Sequence, residues 1–374
     1  MRILQLITDH RRRGAQVFAA DLSEALASRS HDVAVAALYE ETVSPLDCGQ
    51  ASVLPELGQR DRFVAPVLVM RLARTLAAFS PDVLQANGSD TLKFAVAARV
   101  LARTRTPIVY RNISLASRWL RGPLHRSVNR WLAHRPDHVV SVSHTSRDDF
   151  LLAYRIAANK VTVIPQATQV PATGSRKVGR DRIRAITGTS SGRVLVHIGN
   201  FSTEKNHEFL IRAFGEILSA LPDATLLLIG DGPLRGEVSR RVQDAGLMDS
   251  VHFLGVRDDA REIAGGADAL VLCSLVEGLP GVILEAAARG VPTVATDVGG
   301  VGEAIANQLT GVVTPPRDLA AFASAVLDLL NDEDRRAMMG RAARRRVDAD
   351  YNLDRIASSY EALYDDLQHQ LRMT

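Results

Sequence analysis

Along the chain, continuous apolar and β-branched runs of strand length alternate with longer stretches whose apolar residues recur at helical spacing. In the front half the apolar runs are RILQLI (2–7), DVAVAAL (32–38), DVLQA (82–86), PIVY (107–110), DHVVSV (137–142) and KVTVI (160–164). Helical patterns fall between them, at 15–28, 64–79 and 90–103. From Gln166 to Gly192 the pattern lapses into Pro, Thr, Gly, Ser and charge around PATGSRKVG. It restarts with RVLVHIG (193–199), ATLLLIG (224–230), SVHFLG (250–255), ADALVLC (267–273), VPTVAT (291–296) and TGVVT (310–314). Strands that are apolar throughout are covered on both faces, and strands separated by helices pair in parallel. The expectation is therefore α/β: two doubly wound Rossmann-like domains, 1–168 and 193–351, joined by a linker at 169–192. Sheets of this kind bind ligands at the carboxyl ends of their strands, so two facing domains would form a cleft. The last segment, NLDRIASSYEALYDDLQHQL, is amphipathic with nothing after it to cover it. It is expected to cross back onto the first domain as a helix at 352–374.

Composition narrows this only a little. At 374 residues the chain exceeds one ordinary domain, and 46% hydrophobic against 23% charged residues disfavours disorder. Cys48 and Cys273 lie too far apart in sequence to suggest a disulfide framework or a zinc spacing. The start, MRILQLIT, has no signal-peptide pattern, and no apolar run approaches the roughly 20 residues of a spanning helix. A cytoplasmic protein is expected. Charge changes the picture more. Residues 1–170 hold 22 Lys and Arg against 14 Asp and Glu, while the remainder holds 23 against 28. A net +8 in front and −5 behind suggests that the front half meets a phosphate-bearing substrate or an anionic membrane face. Nucleic acid is not an expected partner.

The densest candidate chemistry is SLVEGLPGVILEAAARGVP, residues 274–292. Glu277 stands in a turn rich in Gly and Pro directly after an apolar run, and Glu285 follows eight residues later. Pro280 suits a helix entry, where no N–H is needed, so the helix should begin near Gly281. The free N–H groups and positive dipole end of such a terminus make an anion site. Glu285 would sit one turn inside the helix and Glu277 at its mouth, with Gly278, Leu279, Pro280 and Gly281 forming the backbone between. Carboxylates accept hydrogen bonds from sugar hydroxyls while a helix terminus takes phosphate. The ligand should carry both.

EGLPGVILEA resembles the Glu-x7-Glu signature of the retaining glycosyltransferases of family 4, which share the two-domain GT-B fold. IGNFSTEKNHEFLIRAF, LLLIGDGPLRGEV, VHFLGVRDD and GVPTVATDVGGVGEAI are similar to that family's segments in the same order. The resemblance is close over about 193–316 and looser in the first domain. It implies that Glu277 contacts the transferred sugar, Glu285 the nucleotide ribose, and Lys205 the departing diphosphate. Asn200 stands where the family carries an Arg that works with this Lys, leaving one cation fewer at the leaving group. Gly230 and Gly232 would form a backbone turn lining the nucleotide site, and the backbone around Val256 and Arg257 would meet the base. In RRRGAQVFAADLSEAL, Gly14 matches the family's Gly-Gly-Ala-Glu loop, but Arg13 and Gln16 replace a Gly and the Glu. Arg13 is a candidate for the cation missing at 200. Gln85, Asn87 and Asn112 stand near places where relatives carry histidines, so no histidine is nominated there. Arg111 is read either as an anion contact at a strand's carboxyl end or as an ordinary surface arginine.

The resemblance thus implies a retaining transferase with a UDP- or GDP-linked sugar as donor, no separate cofactor, and a glycan or lipid-linked acceptor bound by the first domain. Cell-surface polysaccharide or glycolipid assembly at the inner membrane face is the expected setting. No Asp-x-Asp ends a strand, so no metal is implied. Two rivals stay open. GDGPLRG approximates a dinucleotide fingerprint, with Gly-x-Gly-x3-Gly spacing, and would suit a nicotinamide-dependent oxidoreductase using Gly230 and Gly232. Asn200 and the missing histidines would also suit a catalytically silent binding protein on the same fold.

One further segment stands out. SRWLRGPLHRSVNRWLAHR (117–135) has five arginines, two histidines and no acid, with Leu124, Val128 and Trp131 or Leu132 at helical spacing. Such a stripe is ordinarily a helix packed on a sheet, and that is the expectation here. The other reading is a basic amphipathic helix lying on anionic lipid.

Overall fold

All twelve apolar runs named above become strands of parallel sheets. The structure, a computed structural model, describes residues 1–41, 46–60, 65–171, 175–188 and 192–373. It divides into two units, Met1–Gln166 with Leu353–Thr374, and Ala167–Asn352.

The first unit's strands are β1 (Arg2–Ile7), β2 (Asp32–Ala37), β3 (Ser52–Val53), β4 (Val83–Asn87), β5 (Ile108–Asn112), β6 (His138–Ser141) and β7 (Val161–Val163). They lie in the order β3-β2-β1-β4-β5-β6-β7, each pair parallel. β3 is an exposed two-residue edge strand, too short for any periodicity to reveal. Helices α1 (Gly14–Ala27), α2 (Ala65–Phe79), α3 (Ser89–Ala102), α4 (Pro123–Ala133) and α5 (His144–Tyr154) make the crossovers. β4 and β5 are buried throughout and β1 from Ile3 onward, which is why their sequences read as mostly apolar runs. Gln5 and Gln85 inside them, and Asn87, Arg111 and Asn112 at the strand ends, are the buried polar exceptions.

The second unit opens with α6 (Ser175–Thr187), followed by β8 (Arg193–Ile198), α7 (His207–Ala220), β9 (Ala224–Ile229), α8 (Arg235–Asp244), β10 (Val251–Gly255) and α9 (Ala260–Gly266). Then come β11 (Ala269–Leu272), α10 (Gly281–Ala288), β12 (Thr293–Thr296), α11 (Val301–Ala304), β13 (Gly311–Thr314), α12 (Leu319–Asn331) and α13 (Glu333–Asp350). The sheet order is β10-β9-β8-β11-β12-β13. Both sheets therefore run outward in both directions from their first strand. The switch points lie between β1 and β4 in one and between β8 and β11 in the other. In doubly wound sheets ligands bind at that crevice.

Two segments differ from the sequence expectation. The stretch 169–192, read as a linker, carries α6, with residues 172–174 and 189–191 outside the described ones. Few apolar residues hold this helix. Arg176 and Arg180 reach Asp268 at 3.1 and 2.5 Å, and Asp268 in turn accepts from the Val194 N–H. Its buried face is narrow, with Gly179 closing on Gly266 of α9 and Ile183 beside it, so the sequence shows little apolar periodicity. The other is α4, whose apolar stripe faces solvent instead of packing on the sheet.

The chain's last helix, α14 (Leu353–Met373), belongs to the first unit, where it lies on α1. Tyr360 meets Phe18 at a ring separation of 6.2 Å, and the Tyr364 hydroxyl donates to Gln85 Oε1. The buried tyrosines at this spacing give the helix its apolar face.

Candidate functional site

The second unit's switch point gathers the charged residues. β8 runs out through Gly199 and Asn200 into a single tight turn at Thr203–Lys205, and left-handed Asn206 (φ 54°) starts α7. β11 runs out through Cys273 and Ser274 into the Glu277 turn, and α10 follows from Gly281. The two loops are tied together by the Leu275 N–H, which donates to Glu204 O at 2.7 Å.

Lys205 and Glu277 meet there although 72 residues separate them. Lys205 Nζ donates to Glu277 Oε1 at 2.5 Å, and Ser274 Oγ donates to the same oxygen at 2.6 Å. The Ser274 carbonyl in turn accepts from Thr296 Oγ1 at 2.9 Å. Glu277 is 9% exposed. A carboxylate so deeply set needs its charge answered, and two donors on one oxygen do that. Its backbone is pinned as well. Gly299 sits at φ 55°, and a Cβ on it would fall 1.8 Å from Glu277 O, so only glycine lets the β12–α11 turn approach this closely.

Behind Lys205 the floor is neutral. His197 Nδ1 carries its proton, since it bonds to the Val271 carbonyl at 2.9 Å. His207 stacks on Phe201 at 4.2 Å and meets His197 edge-on at 4.8 Å. Burial pulls the His197 pKa down to about 4 and that of His207 to about 3, with the neighbouring Lys205 charge acting in the same direction. Burial likewise pushes the Cys273 thiol up to about 12. Lys205 and Glu277 thus form a charge pair on an uncharged base.

α10 begins at Gly281, directly after Pro280, and no side chain caps it and no acid stands in its first turn. Gly278, Leu279 and Pro280 are buried in the turn leading to it. Glu285, one turn inside, is held by Arg261 of α9, whose Nε and Nη2 both lie 3.0 Å from Oε1. Gly230 follows β9 at φ 134°, and a Cβ there would lie 2.0 Å from Gly199 O, so the GDG turn closes on the β8 loop. Gly232 lies against Phe201 and the exposed Asn200. α8 starts at Arg235, just after this turn. Val256 is exposed, and Arg257 is engaged by Asp259 in two bonds of 2.6 and 2.9 Å, which raise the guanidinium pKa.

The first-unit candidates are dispersed. Gly14 is the first residue of α1, and Arg13 just before it pairs with the fully buried Asp9 at 3.1 Å, as Arg60 does at 2.9 Å. Arg111 is not a surface arginine. It is wholly buried, with its guanidinium over the Phe18 ring at 4.0 Å and Nη2 donating to Gln166 Oε1 at 3.2 Å. Desolvation lowers its pKa. The Asn112 amide is spent on Ser141 Oγ and Ser146 O, both at 3.2 Å, tying β5 to its neighbours. Sequence reasoning missed Ser274, Arg261 and the His197–His207–Phe201 stack. The available signals were a histidine inside an apolar run and a serine three residues before Glu277, and neither announces a partner 70 residues away. Among the described residues, no group of three His, Cys, Asp or Glu could hold a metal ion, and no helix is long and apolar enough to cross a membrane.

Comparison with known proteins accords with this layout. The family model "Glycosyl transferases group 1" matches residues 179–346, and "Glycosyltransferase Family 4" matches residues 12–169. Over 179 residues the chain is 36% identical to N-acetyl-alpha-D-glucosaminyl L-malate synthase of Bacillus anthracis, covering 48% of this chain and 47% of that protein. The match thus spans about half the length of that relative. Over 309 residues it is 28% identical to the GDP-mannose-dependent alpha-(1-6)-phosphatidylinositol monomannoside mannosyltransferase of Mycobacterium tuberculosis, covering 78% of each. Among solved structures, Anabaena Alr3699/HepE in complex with UDP and glucose superposes with a TM-score of 0.84 at 21% identity, over 98% of this chain and 100% of that one.

Proposed function

This chain belongs to the group 1 and family 4 glycosyltransferases, and from that premise we propose that it transfers a sugar from a nucleotide-diphosphate sugar to a glycan or glycolipid acceptor with retention of configuration. The observation that carries this reading is the Lys205–Glu277 pair at the second sheet's switch point, beside the uncapped start of α10.

The chemistry divides among these groups. An ammonium has three N–H donors, so Lys205 can keep Glu277 while turning the others to the diphosphate. The free amides of α10 and its positive end add to that stabilisation as charge develops on the leaving group. With Oε1 held by Lys205 and Ser274, Glu277 Oε2 is the oxygen for the sugar's hydroxyls. Glu285, steadied by Arg261, serves the ribose, and backbone near 255–258 meets the base. The bond from the anomeric carbon to the phosphate oxygen breaks while the acceptor hydroxyl bonds to that carbon on the same face, and its proton passes to the departing diphosphate. Asn200 adds no cation, so Lys205 carries that work. This reading assigns no step to a metal. The acceptor falls to the first unit around Arg13 and Gly14, and a lipid-linked acceptor would place the reaction at an anionic membrane face.

UDP and GDP both occur among the names of relatives and solved neighbours. A thermal-shift panel of UDP, GDP, ADP and NAD tests the reading. A ligand at about 100 times its dissociation constant stabilises by about 2.7 kcal/mol. A response to UDP or GDP, with turnover of the matching sugar nucleotide, is expected. A response to NAD alone would replace the transferase by an oxidoreductase, and binding without donor turnover would reduce it to a binding protein.

A further inference from the structure

Helix α4 turns its apolar face away from the protein. Leu124, Val128 and Trp131 fall at i, i+4 and i+7, one side of a helix, and are 79%, 54% and 55% exposed. Ala133, on the opposite side, is the buried residue of this helix. Single exposed apolar residues are ordinary, but a stripe of three including a tryptophan marks a contact surface. Trp119, just ahead of α4, is exposed too, its indole N–H donating to Ser114 Oγ at 3.1 Å. These are both tryptophans of the chain.

The charge within this segment is of one sign. Arg118, Arg121, Arg126, Arg130 and Arg135 lie between residues 117 and 135 with no acid among them. Arg135 stacks over Trp131 at 4.1 Å, so its stem extends the apolar surface while its head stays polar. The segment is fastened from behind. Asp149 of α5 takes both the N–H and the hydroxyl of Ser117, and His134 Nε2 bonds the Tyr154 carbonyl at 3.1 Å. A fixed base and an open outward face suit docking onto a surface.

We propose that α4 seats this protein on a bilayer face rich in anionic lipid, with Leu124, Val128 and Trp131 entering the headgroup boundary and the arginines meeting lipid phosphates. A second copy of the chain is a poor occupant, because it would set five arginines against five. The apolar stripe alone is too short for firm anchoring, and the basic residues supply the second attraction that reversible membrane binding needs. The inference goes beyond the transfer chemistry and does not depend on it.

The full chain should be sedimented with vesicles of phosphatidylcholine, and of phosphatidylcholine with about 30% phosphatidylglycerol. Binding and a blue shift of tryptophan emission are expected only with the anionic vesicles, and both should vanish in about 1 M salt, where screening reaches within about 3 Å. Each arginine near an anionic surface is worth about fivefold in partitioning, so combined Arg121→Gln, Arg126→Gln and Arg130→Gln should weaken binding about a hundredfold. Combined Leu124→Ser, Val128→Ser and Trp131→Ser should weaken it by at least about tenfold. Circular dichroism and melting of both variants should match wild type, since the changed side chains are exposed. Failure to sediment with either vesicle, equal binding to both, or full binding by the serine variant would overturn the proposal. So would self-association that the serine variant abolishes. None of these readouts uses a nucleotide, so their failure would leave the transferase reading standing.

Discussion

The second sheet's switch point, between β8 and β11, holds Lys205 against Glu277 with Ser274 on the same oxygen. At the matching place in the first sheet, between β1 and β4, a fully buried Asp9 takes Arg13 and Arg60. Beside it Asn87 donates to Gln5, and Gln85 donates to Asn87. The strand order around the two points is the same, so topology alone does not decide what each would bind. What differs is the balance of charge. One point pairs a single cation and a single acid beside a bare helix start, which suits a ligand carrying both phosphate and hydroxyls. The other sets two arginines around one acid and locks its amides in a buried network, leaving a net positive rim. Equal backbones offer a crevice, and the side chains decide what enters it.

The sharpest way to break this contrast is Glu277→Ala. If Glu277 meets the reacting sugar as proposed, transfer should fall at least about a thousandfold while circular dichroism still shows the native fold. Full residual activity would refute the assignment. A backbone test separates the two points next. Gly299→Ala would drive a Cβ into Glu277 O and shift that residue, costing about a hundredfold in turnover. Gly14→Ala in the first unit meets nothing closer than 3.8 Å, from Gln166, and should alter stability by less than about 1 kcal/mol. Equal melting losses in the two variants would erase the distinction.

Smaller effects refine it. Ser274→Ala removes one of the two donors on Glu277 Oε1 and should lower kcat about tenfold with little change in the donor KM. A change confined to KM would mean that Ser274 acts on binding alone. The smallest effect is on pH dependence. His197 and His207 have folded pKa values below the ordinary histidine value, near 4 and 3. The unfolded chain therefore takes up protons first, and the stability present above about pH 6.5 is lost as pH falls toward 4. Between pH 7 and 5.5 each should cost about 1 kcal/mol. His207→Phe, which keeps the stack on Phe201, should reduce the drop in melting temperature over that range. An unchanged drop would show that His207 is not held neutral.

The sequence by itself determined what is carried by neighbours along the chain. Unbroken apolar runs announced twelve strands, and Pro280 followed by Gly281 announced where α10 starts. The Glu277–Glu285 spacing and the neighbourhood of Lys205 were legible because each lies within a single loop-and-helix unit. Local pattern could not reveal β3, with two exposed residues, or α6, held by arginine–aspartate pairs and a glycine-to-glycine approach to α9 with only a narrow apolar face.

Only the tertiary structure decided which of these pieces meet. Strand order sets β8 beside β11, and only then do Lys205, Ser274 and Glu277 share one oxygen. Burial decided that Arg111, read either as an anion contact or as a surface arginine, is no surface residue but is sealed against Phe18, and it left His197 and His207 neutral. The stripe on α4 was readable, but its direction was not. Periodicity fixes which residues share a face of a helix, while the neighbouring elements determine whether that face points inward or out.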